Sequence, residues 1–425
     1  MNGFTGALRR VADSYALPSR EGRVVALAVA VYAAGSGLYL AGGTVFFVSG
    51  IGLSIAEVGT GLTIAGLVGF LTTVPVSMLA KRLGALRLLR MLQVWRAFWF
   101  VALAFADTAV TFTLFASLFA MSQGPVSPMT QLVVSTIAGE ADRTRSFAVM
   151  RSVSNVGMSV GALAAAPFLA VGSAWTFKTI LLIGGLSCLG AALLLGRINV
   201  TTGAPEAKRV PWRSGLAAVC RDRRYAALTA ANGVLFLHTV LLGVGLPLWA
   251  VRSTNAPAGM LSVLVTVNTV LAIALQVHFA ERVNTSQDGT RALRNAGFAL
   301  AAFSLVLIAS SHCGTWLAMG LLLVATVLLT CGELWQSAGS WGLSYRHAPE
   351  EQRTEYLSVF SLGSAAVGIV GPALLALVVD GGAAWLLGLA MLFLLTSAAV
   401  VAIGGRLARA ERQERSAGEQ VLAGK

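Results

Sequence analysis

The chain has 425 residues, of which 56% are hydrophobic and only 12% charged, with a mean hydropathy of +0.77. A water-soluble domain carries about 25% charged residues, so this composition excludes an ordinary soluble protein. The formal net charge of +13 would suit a nucleic-acid partner, but the placement of the basic residues excludes that reading.

The first 23 residues are polar and mixed in charge, and the apolar run that follows them, 24–48, is too long for the core of a secretory signal. It reads as a membrane-crossing helix. About 20 apolar residues span a bilayer, and twelve runs qualify: 24–48, 58–80, 88–106, 111–137, 147–170, 175–196, 225–250, 258–280, 292–310, 315–340, 355–379 and 384–404. The expected class is an all-α membrane protein of twelve transmembrane helices. Its expected parts are a six-helix half over 1–196, a cytoplasmic linker over 197–224, a second six-helix half over 225–405 and a cytoplasmic tail over 406–425.

Lys and Arg concentrate on the cytoplasmic side of membrane proteins. With the N-terminus inside, 28 of the 31 basic residues fall in the tails, in the even-numbered connections or in the first five residues of the spans that follow them; Lys178 and Arg252 fall outside, and Arg96 lies deeper within a span. This alternation explains the positive charge without nucleic acid and puts both termini in the cytoplasm. The linker holds the flexible run Thr201-Thr202-Gly203-Ala204-Pro205. Beyond it, Trp212, Leu216, Val219 and Cys220 share a helical face among arginines, a pattern suited to a short helix on the inner membrane surface. The four cysteines, Cys188, Cys220, Cys313 and Cys331, stand far apart and form no metal or disulfide pattern.

The halves repeat. Ala138, Glu140, Arg143 and Thr144 match Ala348, Glu350, Arg353 and Thr354 at an offset of 210, which also pairs Gly161 with Gly371 and Gln123 with Glu333. Repeated halves place a substrate site near the bilayer midplane. Glu333, in Thr330-Cys331-Gly332-Glu333-Leu334-Trp335-Gln336, is the carboxylate well inside a span. A charged acid there costs ~3 kcal/mol or more, so it faces a cavity, carries a proton or ties helices together as a neutral acid. His238 is the second proton-coupling candidate. Candidate cavity residues are Tyr32 and Tyr39, seven apart on span one, Gln123, Asn155, Asn232, Phe236, Asn268, Trp335 and Gln336. Any single amide among them is also explained by an interhelical hydrogen bond.

After span two the chain reads Ser77-Met78-Leu79-Ala80-Lys81-Arg82-Leu83-Gly84, followed by Arg87 and Arg90, and a second-half echo reads Phe279-Ala280-Glu281-Arg282-Val283. Span four holds Gln123-Gly124, span five Asn155, Gly157, Gly161 and Pro167, and span eleven Gly368, Gly371 and Pro372. Together these segments resemble the major facilitator superfamily, and within it twelve-helix bacterial multidrug-type proton antiporters. Leu79, Ala80, Arg82 and Gly84 match the cytoplasmic gate motif G-x-L-A-D-R-x-G, with Glu281 and Arg282 as its second-half copy. Lys81 stands where the family has aspartate, so the gating role of that acid does not carry over. In the span-four motif R-x-x-Q-G the arginine is Ala120. Arg96 on span three either supplies the missing charge or snorkels to the cytoplasmic interface.

The sequence holds no phosphate-binding loop, nucleophile–base set or metal-ligand cluster, which predicts a non-enzyme without cofactor or metal. The resemblance implies a monomeric, multi-pass protein of the bacterial inner membrane that exchanges protons for small amphipathic compounds, as in drug or antibiotic export. Import or facilitated diffusion of a polar nutrient is the alternative on the same fold. A transport-inactive receptor or scaffold is the alternative of another class.

Overall fold

A computed structural model describes residues 17, 19–45, 47, 52–139, 142–171, 173–198, 219, 221–257, 260–380 and 382–423. Among these residues there is no β-strand and, apart from short helical turns at Ala80–Leu83 and Glu350–Gln352, twelve long helices follow one another. They are α1 (Arg20–Val45), α2 (Ile55–Met78), α3 (Ala85–Leu103), α4 (Ala109–Ala138), α5 (Arg143–Val171), α6 (Ala174–Leu195), α7 (Arg223–Ser253), α8 (Met260–Glu281), α9 (Ser286–Ser310), α10 (Thr315–Arg346), α11 (Arg353–Asp380) and α12 (Gly382–Ala423). Each overlaps one expected run. The largest departure is at the end, where the segment expected as a tail from 406 continues α12 as helix to Ala423. The expected linker helix around Trp212 lies outside the described residues.

Ten of the twelve are long and apolar enough to cross a membrane; α3 and α5 fall below that criterion. Both are arginine-bearing, α3 with Arg87, Arg90 and Arg96 and α5 with Arg143, Arg145 and Arg151. Helix starts are set by local chemistry. Ser54, Thr108 and Thr285 close capping boxes with Glu57, Thr111 and Asp288, satisfying backbone N–H groups that no helical carbonyl can reach.

Two compact units emerge from the contacts. The first holds α1–α6 together with Glu350–Ala365, which includes the start of α11; the second holds α7–α10, the rest of α11 and α12. Within the first unit α2 packs on α4, α3 on α4 and α6, and α1 on α5 and α6. Within the second, α8 packs on α10, α9 on α10 and α12, and α7 on α12. Four pairings of the first unit thus recur six helices later, which is the repeat of the sequence expressed as packing.

Small residues make the α1–α5 approach possible. A Cβ on Gly161 would fall 1.8 Å from the Ala34 carbonyl oxygen, and one on Gly157 2.6 Å from that of Ala30. The glycines of span five therefore serve backbone contact. On α11, Gly371 faces Val240, whereas Gly368 meets nothing within 4 Å. The first unit's apolar core gathers Phe100, Phe112, Leu103 and Ile180, with Tyr39 edge-on to Phe100 at 5.2 Å.

Candidate functional site: buried polar clusters in the two units

In the second unit, α10 sets Thr330, Glu333 and Gln336 three residues apart, so all three lie toward one side of the helix. The three are buried, Glu333 at 5% exposure. From α8, the Asn268 amide donates to the Thr330 hydroxyl at 3.0 Å and to the Glu333 carboxylate at 3.3 Å. The Thr330 hydroxyl in turn donates to the Thr326 carbonyl at 2.7 Å. One turn further along α10, the Gln336 side-chain amide donates to the side-chain oxygen Oδ1 of Asn232 on α7 at 2.7 Å. Helices 7, 8 and 10 of this unit thus bring three amides and one carboxyl group to one buried side of α10. Thr330 is the partner that sequence reasoning passed over; its spacing of three from Glu333 was the available signal.

His238 is fully buried where α7 departs from regular helix, and its Nδ1 lies 3.0 Å from the Leu235 carbonyl. A π-turn follows at Leu241–Gly245, and Pro247 follows that. Proline has no N–H to give the preceding turn, which loosens the hydrogen-bond ladder. Upstream of it, the Thr239 hydroxyl donates to the Phe236 carbonyl at 2.8 Å. Phe236 lies edge-on to His238 at 5.4 Å. Trp335 packs on Phe279 of α8 at 5.4 Å.

The first unit contains a different arrangement. Arg96 is 6% exposed, so it does not snorkel. Its position is eleven residues beyond Ala85, about 16 Å along α3, which puts it mid-helix. The guanidinium lies 5.4 Å from the ring centres of both Tyr32 and Phe119, and its Nη2 donates to the Ser36 hydroxyl at 3.3 Å. The Ser36 hydroxyl in turn donates to the Tyr32 backbone carbonyl at 2.9 Å. Tyr39 joins Phe100 and Phe119 in an aromatic group. Asn155 is half-buried, and Gln123, the repeat partner of Glu333, is exposed.

At the gate motif, Leu79 ends α2, a single turn over Ala80–Leu83 follows, and Gly84 opens α3 at φ 80°, a conformation that side-chain-bearing residues rarely adopt. Leu79 and Arg82 are exposed, and Ala80 is buried. Lys81 has a partner that sequence reasoning missed: it forms an ion pair with Glu355, in the first turn of α11, a fully buried acid within the same unit. In the second-half copy Glu281 and Arg282 are exposed; the Asn284 amide donates to the Glu281 carbonyl at 2.9 Å, and Arg346 to that of Asn284 at 2.7 Å. A shallow recess of about 620 Å³ between α2 and α4 is lined by none of the candidate residues.

The family profile described as Major Facilitator Superfamily matches residues 24–372. No curated protein sequence matches the chain. Among solved structures, the E. coli fucose:proton symporter FucP is similar at 16% identity and a TM-score of 0.68, over 92% of this chain and 98% of that one. A bacterial homologue of the iron transporter ferroportin, in an outward-facing state, gives 12% identity and 0.73, over 91% and 100%. The human organic anion transporter MFSD10 gives 16% and 0.62, over 91% and 100%. At such identities the likeness is one of fold.

Proposed function

This chain belongs to the major facilitator superfamily, and from that premise we propose that it is a proton-coupled exporter of small amphipathic compounds. In this reading twelve helices cross the bacterial inner membrane, both termini and the 197–224 linker are cytoplasmic, and the protein works as a monomer. The observation that carries it is Glu333: a buried carboxyl group in a membrane-spanning helix, tied to Asn268 beside Thr330. A bare charge at that depth is costly, and an acid that alternates between charged and neutral forms is a means of coupling proton flow to the rocking of repeated halves. Glu333 carries the proton, and Asn268, Asn232 and Gln336 offer polar contacts to the compound.

The test uses proteoliposomes with an imposed pH gradient and a lipophilic fluorescent dye as cargo. Export predicts dye accumulation on the acidic side and collapse of the gradient when dye is added. Dye movement that ignores the gradient defeats the coupling.

The gathering of three amides with one acid also favours a second reading, proton-linked uptake of a polar nutrient such as a sugar. Under it, radiolabelled monosaccharides would enter with protons and dyes would not move.

A further inference from the structure

We propose that Arg96 is a receptor for the anionic group of an organic anion, so that the compounds this chain handles include aromatic or alkyl carboxylates. The inference deepens the export reading and takes its biological meaning from it. Arg96 is 6% exposed in the middle of α3. Among the described residues its one hydrogen bond runs to a neutral hydroxyl, Ser36 at 3.3 Å, and its buried Nε has no hydrogen-bond partner. The rings of Tyr32 and Phe119 flank it and stabilise the cation without neutralising it.

Among the described residues, no acid of the same unit balances this charge at that depth. Among the described residues of the first unit, every carboxylate lies in a connection or in the opening turn of a helix. Glu355, the buried one, is held by Lys81. A buried charge is sustained when it is paired and hydrogen-bonded. Here the donors of a planar guanidinium fork remain to be satisfied, and a carboxylate matches that fork with two parallel hydrogen bonds. The aromatic group of Phe119, Phe100 and Tyr39 beside it suits an apolar body attached to the anion.

The experiment compares matched carboxylate and amide pairs on the full chain in lipid nanodiscs by calorimetry: 2-naphthoate with 2-naphthamide, indole-3-acetate with indole-3-acetamide, and octanoate with octanamide. Unaltered protein should bind at least one carboxylate about tenfold or more tightly than its amide, the scale of charge-assisted hydrogen bonds. Arg96→Gln should abolish that preference and leave amide binding in place. If Arg96→Gln fails to fold, Arg96→Lys carries the test. Its ammonium cannot form the bidentate fork, so the preference should fall severalfold. Equal binding within all three pairs, or a preference unchanged in the variant, overturns the site. Binding is read without transport, so the two readings fail separately. A carboxylate preference that depends on Arg96, in a protein that moves nothing against a pH gradient, upholds this site and overturns export. Gradient-driven dye export with no such preference does the reverse.

Discussion

Replacing one carboxylate oxygen of Glu333 by an amide nitrogen removes the capacity to carry a proton while nearly preserving volume. Glu333→Gln keeps an oxygen that can accept from Asn268. The proposal therefore predicts full expression and a melting temperature close to the parent's, together with loss of pH-gradient-driven accumulation in proteoliposomes; downhill exchange should persist, because rocking does not require the charge. Uphill transport that survives in this variant removes Glu333 from the coupling. If transport survives and the melting temperature drops, Glu333 serves as a tie between helices. Asn268→Leu is the complementary substitution. It deletes two interhelical hydrogen bonds, each worth about 0.6–1 kcal/mol in a membrane, and thermal unfolding should register a loss of roughly that sum.

At the scale of helices, the ion pair between Lys81 and Glu355 gives the altered gate motif a partner. The side chain of Glu355 is fully buried and that of Lys81 is 27% exposed. Removing one member leaves the other uncompensated, at about 3 kcal/mol when solvent reaches part of the pair. Lys81→Glu should therefore destabilise strongly, and the exchange Lys81→Glu with Glu355→Lys should recover most of the loss in a double-mutant cycle. Absence of recovery would mean that the two positions act independently. The α1–α5 approach makes a second prediction. Gly161→Val puts atoms where the Ala34 carbonyl oxygen already lies, so overpacking of about 1–3 kcal/mol or more is expected, read as lower yield and melting temperature. Gly368→Ala, at a site with nothing nearby, is the neutral control.

For the whole molecule, the asymmetry of basic residues predicts sidedness. In a variant lacking Cys188, Cys220, Cys313 and Cys331, a cysteine at Ser253 should react with an impermeant maleimide added to intact cells. A cysteine at Gly203 should not. Labelling of Gly203 in sealed cells would invert or break the topology.

The sequence by itself determined where helices form and that the halves repeat, because apolar run length and basic-residue placement are local properties that survive without knowledge of packing. Each of the twelve expected runs overlaps a helix, and four helix pairings of the first unit recur six helices later. It also singled out Glu333, since an acid in an apolar run is visible in one dimension. What only tertiary structure decided are the partners. Asn268 and Glu333 are separated by 65 residues, Asn232 and Gln336 by 104, and no spacing rule joins residues on different helices. Lys81, a departure from the family motif in sequence, becomes half of an ion pair once α11 begins beside it. Arg96 was open to two readings because hydropathy records a residue's depth and not its neighbours; the rings of Tyr32 and Phe119, brought in from α1 and α4, hold it inside the first unit.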